Sequence, residues 1–162
     1  MKHTCYIILA FVFLITTENS KAQIFQIKNL NVTSGLSNDY ITDFAQDKKG
    51  SIWVATEFGV NRLTGSAVRV FNKSNSALNG NEINTLYYDE AEDELWIGTQ
   101  RNGISILNCR TLEMTNLTTE NGLPTNDVTY ISSKGDQSIW ITHYHRWITR
   151  FDKKTGVWRR GI

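Results

Sequence analysis

The sequence predicts an all-β fold, a β-propeller of about three four-stranded blades forming an open, incomplete ring. Three observations lead there. The stretch Gly50-Ser51-Ile52-Trp53-Val54-Ala55-Thr56 returns as Glu94-Leu95-Trp96-Ile97-Gly98-Thr99 and again as Gln137-Ser138-Ile139-Trp140-Ile141-Thr142, with the tryptophans 43 and then 44 residues apart. Polar turns bracket every copy at matching positions. Each period holds four short apolar stretches, and four strands in about 43 residues is the size of one propeller blade.

The chain opens on a targeting segment, residues 1–22. Lys2 is followed by the apolar run Tyr6 to Ile15, and Ser20-Lys21-Ala22 places small residues where a signal peptidase reads, so cleavage before Gln23 is expected. A run of ten residues is too short to span a bilayer, which needs about 20. The mature part, 23–162, is then a partial propeller. Asn29-Leu30 stands as far ahead of Gly35-Leu36 as Asn116-Leu117 stands ahead of Gly122-Leu123. Residues 24–32 therefore read as a ring-closing outer strand that arrives before its own blade.

The blades fall at about 36–74, 78–118 and 123–160. Each begins with a leucine before a polar turn: Leu36, Leu78 and Leu123. A β-branched residue, Ile41, Ile83 or Val128, then heads a segment that alternates apolar and polar, the pattern of a half-buried strand. The tryptophan strand comes second. Gly59 and Gly103 mark the next turn in the first two copies; the third has His145-Arg146-Trp147 instead, and a turn without glycine must avoid positive φ or accept strain. Third strands run through Val60 to Leu63, Ile104 to Leu107 and Trp147 to Phe151. Short fourth strands close each unit near Val68 to Phe71, Met114 to Leu117 and Val157 to Arg159.

The indole has a physical task in this arrangement. Blades stack face to face, and a tryptophan fills the gap with roughly 150–250 Å² of buried surface. Trp53, Trp96 and Trp140 are thus expected between blades, with Ile52, Leu95 and Ile139 on the opposite face of the same strand. Three blades fall short of the 4–8 of closed rings, so the far face of the third should stand uncovered, as in the front piece of a longer protein.

Composition excludes several classes. Charged residues make up 20% and aromatics 11% of the 162 residues, which is neither disordered nor coiled. Residues 23–162 carry 15 basic and 15 acidic side chains with no basic run, so nucleic acid is not an expected partner. Phosphate-binding loops, nucleophile elbows and zinc-protease motifs are missing, and no cofactor or metal site and no catalytic residue is expected. His143 and His145 could form a two-histidine clip on one strand face but have no third ligand nearby; rim positions are the better reading. The run Asp89, Glu90, Glu92, Asp93, Glu94 lacks the calcium-loop pattern and reads as a solvated turn. Cys109, the one cysteine after residue 22, reads as a structural thiol. Phe58, Tyr144 and Trp147 follow the tryptophan strands where loops reach the surface; they could stack on a sugar, or simply pack between blades.

The pattern Gly-Leu-Ser-x-Asn, then Asp-x-x-Gly-x-Ile-Trp-Val-x-Thr, then Gly-Val-x-x-Leu resembles the two-component regulator propeller repeat, over roughly residues 24–160. That repeat builds the exported sensor region of bacterial hybrid two-component histidine kinases. The resemblance implies a non-catalytic, periplasmic ligand-sensing segment, often for carbohydrate breakdown products, with the kinase in sequence beyond these residues. It departs at Ala77-Leu78-Asn79, where Gly-Leu-Ser is usual. The rival expectations are a fragment of an exported propeller enzyme, a lyase or glycosidase, and a self-associating interaction module. Partners would accordingly be further blades of a longer protein or a second copy, and an oligosaccharide ligand.

Overall fold

The computed structural model describes residues 28–133, 135, 137–145 and 147–160, with Trp147 and Arg160 described by backbone alone. The expected signal peptide, 1–22, lies outside the described residues.

Among the described residues, three four-stranded antiparallel sheets follow one another, each a meander in chain order. The first holds β1 (Ile41–Gln46), β2 (Ile52–Thr56), β3 (Gly59–Thr64) and β4 (Ala67–Phe71). The second holds β5 (Ile83–Asp89), β6 (Glu94–Thr99), β7 (Ile104–Asn108) and β8 (Met114–Leu117). The third holds β9 (Val128–Ser133), β10 (Ser138–His143), β11 (Trp147–Asp152) and β12 (Val157–Arg160). The inner strands lie side by side, β1 against β5 and β5 against β9, as the blades of a propeller do. Each inner strand bulges near its start, beside Thr42, Asn84 and Thr129. A bulge adds local twist, which suits strands converging on an axis.

Two cores form, one per junction between blades. Trp53, Ala55, Val60 and Phe71 of the first blade meet Leu78, Ile83, Leu86, Leu95 and Ile97 of the second. Trp96 and Ile104 of the second meet Leu123, Val128, Ile131, Ile139 and Ile141 of the third. Each tryptophan is therefore covered by the blade that follows it in the chain. Trp53 is fully buried and Trp96 is 2% exposed, but Trp140 is 39% exposed. The expectation of three buried indoles fails at the third, because among the described residues no sheet follows β12 to cover it. Trp140 has instead the Arg150 guanidinium 5.8 Å from its ring. Leu36, Leu78 and Leu123 are all buried, each seated on its own blade's preceding face.

The outer strand expected at 24–32 is not seen where the chain is described. Lys28–Asn31 have no strand, and Val32–Ser34 form a 3₁₀ turn capped by the Asn31 side chain and ended by Gly35 at φ 105°. The same device recurs at Thr118, Thr119–Asn121 and Gly122. The likeness of residues 29–36 to 116–123 thus encodes a capped turn that delivers a leucine to the blade.

The acidic run is not a plain solvated turn. Asp89 and Asp93 are buried, and they tie the middle blade to both neighbours. Asp89 accepts from Lys153 Nζ of the third blade at 2.6 Å. Asp93 accepts from the Tyr88 hydroxyl at 2.8 Å and pairs with Lys48 of the first blade at 3.3 Å. Glu90 and Glu92 do face water.

Candidate functional site

The loops joining second to third strands, and those joining one blade to the next, meet along one face. The threonine that ends a tryptophan strand builds the first kind of loop. Thr56 Oγ1 donates to Gly59 O at 3.1 Å and accepts from Phe58 N at 3.1 Å; Thr99 Oγ1 donates to Gly103 O at 2.8 Å and accepts from Asn102 N at 2.9 Å. Gly59 and Gly103 have φ of 128° and 79°, and a Cβ there would stand 2.4 Å from Phe71 O and 2.2 Å from Leu117 O. Only glycine allows the fourth strand's end to approach so closely. In the third copy His145 supplies the positive φ, 68°, so the turn survives without glycine.

Two grooves open between these loops. Glu57, Phe58, Asn81, Glu82 and Gln100 line the first, of about 350 Å³, where blades one and two meet. Asn84, Gln100, Arg101, Asp127, Thr129 and Tyr144 line the second, of about 340 Å³, between blades two and three. The grooves are copies of each other. Counted from the tryptophans, Glu57, Gln100 and Tyr144 hold one repeat position, and Phe58, Arg101 and His145 the next. Glu82 and Asp127 each stand just before an inner strand.

Hydrogen bonds hold the groove walls in place across blades. Asn84 Nδ2 donates to Val128 O at 2.7 Å, Gly103 N to Asn126 O at 2.8 Å and Gln100 N to Glu82 O at 2.9 Å. Arg101 Nη2 reaches both Glu82 oxygens, at 2.7 and 3.1 Å, and this contact raises the guanidinium above its ordinary value. What remains open is a surface of carboxylates, amides and one cation beside flat rings. Such a surface can bond hydroxyl groups and stack on an apolar sugar face.

The structure places two of the three aromatic candidates here. Phe58 and Tyr144 are 57% and 62% exposed, so neither packs between blades. They lie in separate grooves that share Gln100. Trp147 begins β11, and its side chain lies outside the described residues. Glu57, Glu82, Gln100, Arg101 and Asp127 were missed by sequence reasoning. The signal was present in the two loop positions after each tryptophan strand, which change from copy to copy while the scaffold positions hold.

The histidines do not share a face. His143 is buried, with Nε2 2.9 Å from Thr149 Oγ1, and burial holds its imidazole below the ordinary value. His145 sits in the turn, its ring 4.3 Å from that of Tyr144. Among the described residues no three metal-binding side chains converge. Cys109 is buried in the first core, and burial pushes its thiol up to about 12.

The family model of the two component regulator propeller matches residues 35–58, from the capped turn to the loop after the first tryptophan strand. No curated protein matches the chain. Among solved structures, the extracellular domain assigned to the hybrid two component system BT3049 of B. thetaiotaomicron is similar with a TM-score of 0.76 at 33% identity, over 82% of this chain and 19% of that one. The extracellular domain assigned to the one component system BT4673 of the same organism gives 0.68 at 22% identity, over 77% and 19%. YCF48 from Cyanidioschyzon merolae gives 0.56 at 14% identity, over 81% and 43%. The last two speak for the fold alone. The chain spans 19% of the length of the two bacterial domains.

Proposed function

We propose that this chain, which carries the two component regulator propeller repeat, is a non-catalytic ligand-sensing segment of an exported two-component sensor, working in the periplasm, and that its ligand is a carbohydrate. The observation that carries the reading is the pair of equivalent grooves, each with an exposed ring beside carboxylate and amide groups. Phe58 and Tyr144 supply stacking faces; Glu57, Glu82, Gln100 and Asp127 supply acceptors and donors for hydroxyls.

The position of the grooves suits sensing. Each lies across a junction between blades, so a ligand held there touches loops of two blades at once. Binding that favours one packing of those blades over another is the coupling that a sensor passes on. The kinase acting on that signal would belong to the sensor as a whole.

Calorimetric titration of the chain with a panel of oligosaccharides tests the proposal. One or more should bind, and Phe58→Ala and Tyr144→Ala should each weaken the complex about tenfold, the worth of roughly 1.4 kcal/mol. A panel without any binder overturns the carbohydrate reading. Cleavage of a polysaccharide by the purified chain overturns the non-catalytic one and favours the propeller-enzyme alternative.

A further inference from the structure

The two end faces of the blade array match each other. Sheet register identifies the residues that receive an indole at a junction. Leu86 pairs with Ile97 and Leu107 with Leu95 in the second blade, and this face covers Trp53. In the first blade the same register positions are Phe44 beside Val54 and Leu63 beside Ile52. Leu36 is already seated there, as Leu78 and Leu123 are in the two formed junctions. Phe44 is nonetheless 72% exposed. The first blade thus carries a finished receiving face with no indole on it.

The third blade carries the counterpart. Trp53 lies opposite Arg62 and Ala55 opposite Val60 on the face that enters the first junction. At the same positions, Trp140 lies opposite Arg150 and Thr142 opposite Ile148. The arginine flanks the indole in both blades, 5.0 Å from the Trp53 ring and 5.8 Å from that of Trp140. Trp140 and Ile148 are 39% and 41% exposed.

We propose that a second copy of this chain covers these faces, Trp140 of each copy entering the Phe44, Ile52 and Val54 face of the other. The occupant follows from continuity with the junctions inside the chain: the contact repeats the first junction position for position. The two faces lie at opposite ends of the array, so the contact is head to tail. Such contacts close into rings when the rotation permits and otherwise grow without limit. Two sets of three blades make six, within the 4–8 of closed propellers, so a two-fold dimer closes the ring with two identical seams. Once the first seam forms, the second is intramolecular and gains from a high effective concentration.

Sedimentation velocity of the exported chain over a range of concentrations is the test. The chain should sediment at twice its mass, and Trp140→Asp and Phe44→Asp, on opposite faces, should each yield a monomer. Near-ultraviolet circular dichroism from buried Trp53 and Trp96 should stay unchanged in both variants, which separates lost association from lost folding. A monomer at every concentration overturns the proposal. So does a dimer that survives either substitution, or an assembly that keeps growing with concentration.

Discussion

The Lys153 ammonium stands 2.6 Å from the Asp89 carboxylate and ties the third blade to the turn of the second. Four residues along that turn, Asp93 does the same for the first blade through Lys48. The second blade is thus held on both sides by carboxylates from one tight turn. Burial works against the Lys153 charge, but the Asp89 contact outweighs it and raises the ammonium above its ordinary value.

Lys153→Ala should cost about 3 kcal/mol, because it leaves a buried carboxylate without its cation. Replacing both partners, as Lys153→Met with Asp89→Asn, should cost less than the single change. Urea denaturation of the two variants measures the difference, and equal midpoints would remove the tie between blades as a source of stability.

The three tryptophans should differ sharply on truncation. Trp53→Ala opens a cavity in a filled core and should cost about 3–5 kcal/mol. Trp140→Ala, at an exposed site, should change the stability of the monomer by no more than about 1 kcal/mol. Thermal unfolding under conditions where the chain is monomeric compares them.

Glycines with the same backbone sign should not respond alike. Gly103→Ala meets Leu117 O at 2.2 Å as well as a φ of 79°, so strain and a backbone clash act together. Gly135, at φ 91°, has nothing within 4 Å, so alanine there brings only the conformational cost of about 1 kcal/mol. Denaturant midpoints should fall clearly further for Gly103→Ala.

Stability should fall in acid through Asp47 and Asp93. Burial would raise both carboxyls, yet hydrogen bonds and cations hold them below the ordinary 3.8: the Ser51 amide, the Trp53 indole and Arg62 for Asp47, and the Tyr88 hydroxyl and Lys48 for Asp93. The unfolded chain therefore binds more protons than the folded one in this range, and stability rises with pH there. The contribution is fully present above the ordinary aspartate value and is lost as pH falls through the depressed folded values. Urea midpoints from pH 7 down to 2 should show it, and Asp47→Asn should flatten part of the slope.

The sequence by itself determined the blades. Alternation, turn residues and the tryptophan period are local properties, and each strand from Ile41 to Arg160 follows from them because a four-stranded meander pairs neighbours in the chain. It also marked the leucines that seat on each blade. Only the tertiary structure decided what each of these residues touches. The strands of Trp53 and Trp140 read alike, yet one indole is buried and the other exposed, since burial depends on which sheet lies opposite. Asp89 and Glu90 are neighbours of like charge, but only Asp89 turns inward to meet Lys153, 64 positions away. The grooves likewise arise where loops of different repeats converge, and no local pattern carries that meeting.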